Sequence, residues 1–174
     1  RRDRFYRLVC RCWESALPKK CNPMIIVSVS GGPDSMALLS AVVASTRGKV
    51  LAVYFDHGIR DLSERLRDIQ TIQTFCDNES VRLVVRKLPV RADVRRSKDG
   101  IEAAGRRWRY RMLTHLARLN QANAIMTAHH LNDSAETVLL KIVRGSGAGL
   151  SGISLFSERT GIPIVRPLIQ FTKH

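Results

Sequence analysis

The stretch MIIVSVS at residues 24–30 carries almost nothing but apolar and β-branched side chains, without alternation. A strand of that kind is buried on both faces, which places it inside a parallel sheet covered by helices on either side. The pattern recurs in KVLAVYFDH (49–57), VRLVVRKLPV (81–90), AIMTAHH (124–130) and IPIVRPLI (162–169), giving four further strands. Between them the apolar residues fall at helical spacing over 34–45, 62–78, 101–119 and 133–145, the last closed by a glycine. Another amphipathic helix opens the chain at 4–15. This alternation predicts an α/β, doubly wound, mostly parallel five-stranded sheet with helices on both faces. Such sheets bind ligands beyond the carboxyl ends of their strands. Ser30 to Ser35, Asp56 with His57, and His129 to Asp133 directly follow strands, so they are expected on one rim.

A chain of 174 residues suits one domain. The expected division is an N-terminal helix at 1–23 packing on the domain, a catalytic body at 24–170, and the start of a continuation at 171–174. No apolar run reaches the ~18–20 residues of a membrane span. The basic N-terminus lacks the apolar core of a secretory signal. Cys10, Cys12, Cys21 and Cys76 form no CxxC pair, so reduced thiols in a cytoplasmic protein are expected. The formal net charge is +14, and 22 of the 29 basic residues are arginine. Between Arg82 and Arg111 there are 11 basic residues and three acidic ones. Clustering of that sort predicts attraction to a polyanion, most simply a nucleic acid.

SGGPDS at 30–35 joins the first strand to its helix. Gly31 and Gly32 let backbone N–H groups approach an anion, and Pro33 suits a first helical turn. The spacing is neither GxxxxGK[ST] nor GxGxxG, which excludes the two common nucleotide loops. Asp34 would repel phosphate unless a cation lay between them, so it predicts Mg2+. The blander reading is a plain helix start capped by Ser30 or Asp34.

SGGxDS after the first strand resembles the PP-loop of the N-type ATP pyrophosphatases, which implies an adenine nucleotide alpha hydrolase-like fold. VYFDHGIR (53–60), GIEAAGRRWRYRML (100–113), TAHHLNDSAETVLLKIVRGSGAGLSGI (127–153) and IVRPLI (164–169) are together similar to the tRNA(Ile)-lysidine synthetase family. Gly105 and Asn132 depart from its usual alanine and aspartate. The resemblance implies a ligase using ATP and Mg2+. It adenylates C2 of the wobble cytidine of a tRNA(Ile) with a CAU anticodon, releasing pyrophosphate, and then joins free L-lysine to give lysidine and AMP. The alternatives are another PP-loop tRNA-modifying enzyme of the 2-thiocytidine type, or a non-catalytic RNA-binding relative.

The same resemblance implies roles for individual residues. Ser30, Gly31, Gly32, Pro33, Asp34 and Ser35 would hold ATP, with Asp56 and His57 near its ribose or adenine and Arg144 near a phosphate. Asp34, Asp133, Glu136 and Arg111 would serve catalysis, Asp34 also as the Mg2+ ligand. Asp133 and Glu136 stand one helical turn apart, and acids at a first turn also complement the helix dipole. Arginines 106, 107, 109 and 111 would divide between ATP and tRNA, around a buried stripe of Ile101, Trp108, Met112, Leu116 and Leu119. One of His129 and His130 is expected to line the pocket, and Gly145 and Gly147 to form a closing loop.

Overall fold

A computed structural model of the chain describes residues 2–17, 22–46, 48–89, 100–143 and 151–171. Helix α1 (Arg2–Ala16) precedes β1 (Ile25–Val29), α2 (Pro33–Ser45), β2 (Val50–Asp56), α3 (Leu62–Asn78) and β3 (Arg82–Lys87). Then come α4 (Ile101–Leu119), β4 (Ala124–Thr127), α5 (Leu131–Val143), β5 (Phe156–Arg159), β6 (Ile162–Val165) and a 3-10 turn at Pro167–Gln170.

The sheet has six strands in the order β3-β2-β1-β4-β6-β5, so the five-strand expectation is corrected. All neighbours are parallel except the edge strand β5, which forms an antiparallel hairpin with β6. FSER at 156–159 is mostly exposed and lacks the apolar run that marks the inner strands. IPIVRPLI is not one strand either. Pairing stops at Val165, and Pro167, which has no N–H for a ladder, opens the 3-10 turn. The fourth strand ends at Thr127, three residues earlier than expected, and His129 and His130 belong to the turn into α5. The charged loop at 91–99 and the glycines at 145 and 147 lie outside the described residues.

Strand pleating sorts the core into two layers. Ile25, Val27, Val29, Ala52, Tyr54, Ala124 and Met126 face α1, α2 and α3. Ile26, Leu51, Val53, Phe55, Ile125 and Ile164 face α4. Handedness explains the division. The chain moves β1→β2→β3 one way along the sheet and then returns across it to β4. Right-handed crossovers in opposite directions place their helices on opposite faces. The core face of α4 is Ala104, Tyr110, Leu113, Leu116 and Ala117. The expected stripe was rotated from this: Ile101 and Leu119 are 47% and 67% exposed, and Trp108 and Met112 are only partly covered. The arginines on both sides blur the apolar period there. Among the described residues no helix is long and apolar enough to cross a membrane.

Ile125 is fully buried at the centre of the sheet against α4. Ile125→Ala is expected to lower folding stability by about 2–5 kcal/mol, read as a lower chemical-denaturation midpoint with unchanged slope.

Candidate functional site

The sheet reverses its winding between β1 and β4, and ligand crevices open at such switch points. A cavity of about 660 Å3 lies there, lined from the ends of β1, β2 and β4 and from α3, α4 and α5. That is a nucleotide-sized volume.

The glycine turn is held from within. Buried Ser35 donates from Oγ to the Gly32 carbonyl at 2.9 Å and accepts the Ser30 N–H at 3.1 Å. Gly31 has φ +81°, and a Cβ there would stand 2.7 Å from the Asp68 side chain on α3. Glycine is therefore required at Gly31 for conformation and for space. Gly32 is the N-cap of α2 and brings no side-chain hydrogen bond to it. The first-turn N–H groups and the helix dipole are left facing an incoming anion.

At the β2 end, Asp56 Oδ1 accepts the Gly58 N–H at 2.8 Å, and Oδ2 takes the Arg65 guanidinium at 2.6 Å. Arg60 and Asp68 form a second pair at 3.2 Å. His57 Nε2 lies 3.1 Å from Arg109 Nη2. A guanidinium only donates, so this imidazole is neutral with its proton on Nδ1. Burial and then the Arg109 charge hold its pKa below the usual value.

At the β4 end, His129 Nδ1 is 2.8 Å from Thr127 Oγ1. Burial, with Arg106 and Arg166 behind it, pushes the His129 pKa down to about 4. His130 and Asp133 cap α5 reciprocally. Asp133 Oδ2 accepts the His130 N–H at 2.8 Å, and His130 Nδ1 accepts the Asp133 N–H at 3.3 Å. Glu136, one turn on, is exposed and lines the cavity beside Asp133.

Of the sequence candidates, Ser30, Ser35, Asp56, His57, Asp133 and Glu136 line this one cavity. Gly31, Gly32, Pro33 and Asp34 form the turn that continues from Ser30 into α2, and none of the four lines the cavity. Arg111 does not line it: it is exposed, with its guanidinium 5.2 Å from the Trp108 ring. Arg106 and Arg109 are the α4 arginines on the wall, with Gly105 beside them. Arg144 lies outside the described residues. Sequence reasoning missed Arg60, Arg65 and Asp68. A signal existed, because Arg65 and Asp68 extend the buried Ile72–Cys76 stripe of α3 toward the carboxyl edge of the sheet.

A family model described as a PP-loop domain matches residues 8–174. A curated tRNA(Ile)-lysidine synthase of Bradyrhizobium diazoefficiens is 37% identical over 161 residues, covering 88% of this chain and 43% of the relative. One from Borreliella burgdorferi is 33% identical over 174 residues, covering 98% of this chain and 37% of the relative. The chain thus spans less than half the length of these relatives. Among solved structures, a U34-tRNA thiolase from Methanococcus maripaludis superposes with TM-score 0.69 at 15% identity, over 95% of this chain and 60% of that one. An NH3-dependent NAD synthetase from Campylobacter jejuni gives TM-score 0.66 at 12% identity, over 99% of this chain and 69% of that one. At those identities the likeness shows the fold.

His129 predicts a pH effect. Its folded pKa of about 4 lies below its ordinary 6.5, so the proton is bound more tightly in the unfolded chain. The stability it contributes is whole above pH 6.5 and drains away as pH falls toward 4. In denaturation midpoints measured across that window, His129→Gln should decline less steeply than the parent. Parallel curves would remove the imidazole from the account.

Proposed function

The chain belongs to the PP-loop family, and from that premise we propose that its cavity binds ATP and performs the tRNA(Ile)-lysidine synthetase reaction. The observation carrying the reading is one cavity that runs from Ser30 and Ser35, which flank the glycine turn, to the carboxylates of α5. The names of the curated relatives supply the substrate class.

Backbone N–H groups of the Gly31–Asp34 turn hold the polyphosphate, and Arg109 faces it from α4. Mg2+ binds through one or two carboxylates plus substrate phosphates, and Asp34 and Asp68 offer hard oxygen donors of that kind beside the turn. The ion would neutralise phosphate charge there. The C2 oxygen of the cytidine attacks the α-phosphorus, the bond to the β-phosphate oxygen breaks, and pyrophosphate leaves. The lysine ε-amine then attacks C2, a C–N bond forms, and AMP departs with the oxygen. An amine of ordinary pKa ~10.4 must first lose a proton. Asp133 already spends one oxygen on capping α5, so it orients the amine. Glu136, exposed one turn on, takes the proton.

Cys10, Cys12 and Cys76 sit on α1 and α3 and do not line the cavity, which favours this reading over thiolation. With Mg-ATP and an unmodified tRNA(Ile) bearing CAU, pyrophosphate release should require the tRNA, and AMP release should rise with lysine. Pyrophosphate release indifferent to tRNA would reject the substrate. Gly31→Ala should weaken ATP binding tenfold or more, as isothermal titration would report, because its Cβ displaces Asp68. Asp34→Ala should weaken Mg-ATP binding too, and unaltered affinity there would favour a non-catalytic RNA-binding role.

A further inference from the structure

Three guanidinium groups converge on one tyrosine. The Arg106 and Arg159 guanidinium carbons lie 5.3 and 5.1 Å from the Tyr110 ring centroid. Arg166 donates from Nη2 to the Tyr110 hydroxyl at 3.2 Å. Tyr110 and Arg166 are 4% and 5% exposed, whereas Arg106 and Arg159 reach solvent. The remaining acceptors of Arg166 are neutral, the Ser154 carbonyl at 3.0 Å and the Ser157 hydroxyl at 2.9 Å. Its Nε is buried without a partner. Among the described residues no carboxylate forms an ion pair with any of the three. A buried guanidinium lacking a counter-charge is costly, and two more cations around the same ring add repulsion. An anion seated on the exposed pair relieves both.

The position of the cluster selects the anion. Arg106 is on the cavity wall, and Tyr110 stands one turn further along α4. Arg159 closes β5, and neither it, Tyr110 nor Arg166 lines the cavity. The cluster therefore begins at the cavity and runs out along the flank between α4 and the β5–β6 hairpin. A polyphosphate gathered at the glycine turn has no reason to extend there. A nucleotide strand with one base in the cavity does, since its backbone leaves as a chain of single negative charges.

We propose that Arg106 and Arg159, bracketing Tyr110 and backed by buried Arg166, form a phosphodiester-binding site for the RNA strand that enters the cavity. This rests on the proposed tRNA-modifying function. Arg106 and Arg159 take phosphate oxygens, Tyr110 holds both guanidinium planes by cation–π contact, and Arg166 fixes the Tyr110 hydroxyl. The lowered pKa of His129, due after burial to Arg106 and Arg166, is consistent with a positive field reaching the cavity.

The test uses the unsubstituted chain and a fluorescent anticodon stem-loop of tRNA(Ile) bearing CAU. RNA affinity is followed against salt, with ATP affinity measured on the same samples. Arg159→Gln should weaken RNA binding about fivefold. It should also flatten the slope of log affinity on log salt by about 0.7–0.9, the share of one phosphate contact. ATP affinity should not move. Arg159→Lys should restore the slope, and Arg67→Gln, on an exposed face of α3, should change nothing. The site is overturned if Arg159→Gln keeps the parental RNA affinity and slope, or if Arg67→Gln lowers both equally. With ATP binding intact, that result leaves the proposed function standing. An unsubstituted chain that binds neither ATP nor RNA overturns the two together.

Discussion

Burial of β1 on both faces is the constraint from which the rest follows. Ile25, Val27 and Val29 point into one layer and Ile26 into the other, so helices must cover both sides. The chain meets that demand by leaving β1 in one direction, toward β2, and returning on its other side as β4. Right-handed crossovers then carry helices to opposite faces. The helix starts diverge above the carboxyl end of β1, and the cavity is the space between them. Ser30 and Ser35, at the two ends of the turn that follows β1, line it because their strand ends there.

Charge is partitioned around that space. Arg109 and Arg106 line the α4 side, and Asp133 and Glu136 line the α5 side. Asp56–Arg65 and Arg60–Asp68 neutralise themselves on the α3 side. His57 and His129 sit among the arginines, and burial with neighbouring positive charge keeps both imidazoles below their usual pKa. A neutral imidazole can accept a hydrogen bond from a guanidinium, as His57 does from Arg109. The proposed chemistry asks for this division: cations where phosphate charge gathers, and carboxylates where an amine must shed a proton.

The inner strands and their burial were legible because uninterrupted apolar runs such as IIVSV and VLAVYF have few other solutions. The glycine turn and the acids of α5 were legible because they directly follow strands. The hairpin was not: FSER is an edge strand, mostly exposed, and carries neither an apolar run nor a clean alternation. The arginines of α4 were legible as a group but not one by one. Four arginines within six residues cover almost every direction around a helix, so composition could not assign Arg106 and Arg109 to the wall and Arg111 to Trp108. Asp68 was hidden for another reason. Its importance comes from the missing side chain of Gly31, a contact between residues 37 positions apart that no local pattern records.

Arg166 links these observations. The RPL segment read as the end of a strand, yet Arg166 is where pairing stops and the side chain turns inward. From there it bonds the Ser154 carbonyl before the hairpin, Ser157 within it, and Tyr110 on α4. Ile153, on the same 151–155 segment, lines the cavity and donates its N–H to Ser134 of α5 at 2.9 Å. One guanidinium therefore ties α4 to the hairpin and to the segment that closes the cavity beside α5. A hydrophobic residue of similar volume could fill that place, but it could not hold three polar elements at fixed angles. Arginine at this position exchanges packing stability for geometry, and the geometry it fixes is that of Tyr110 and the guanidinium groups stacked upon it.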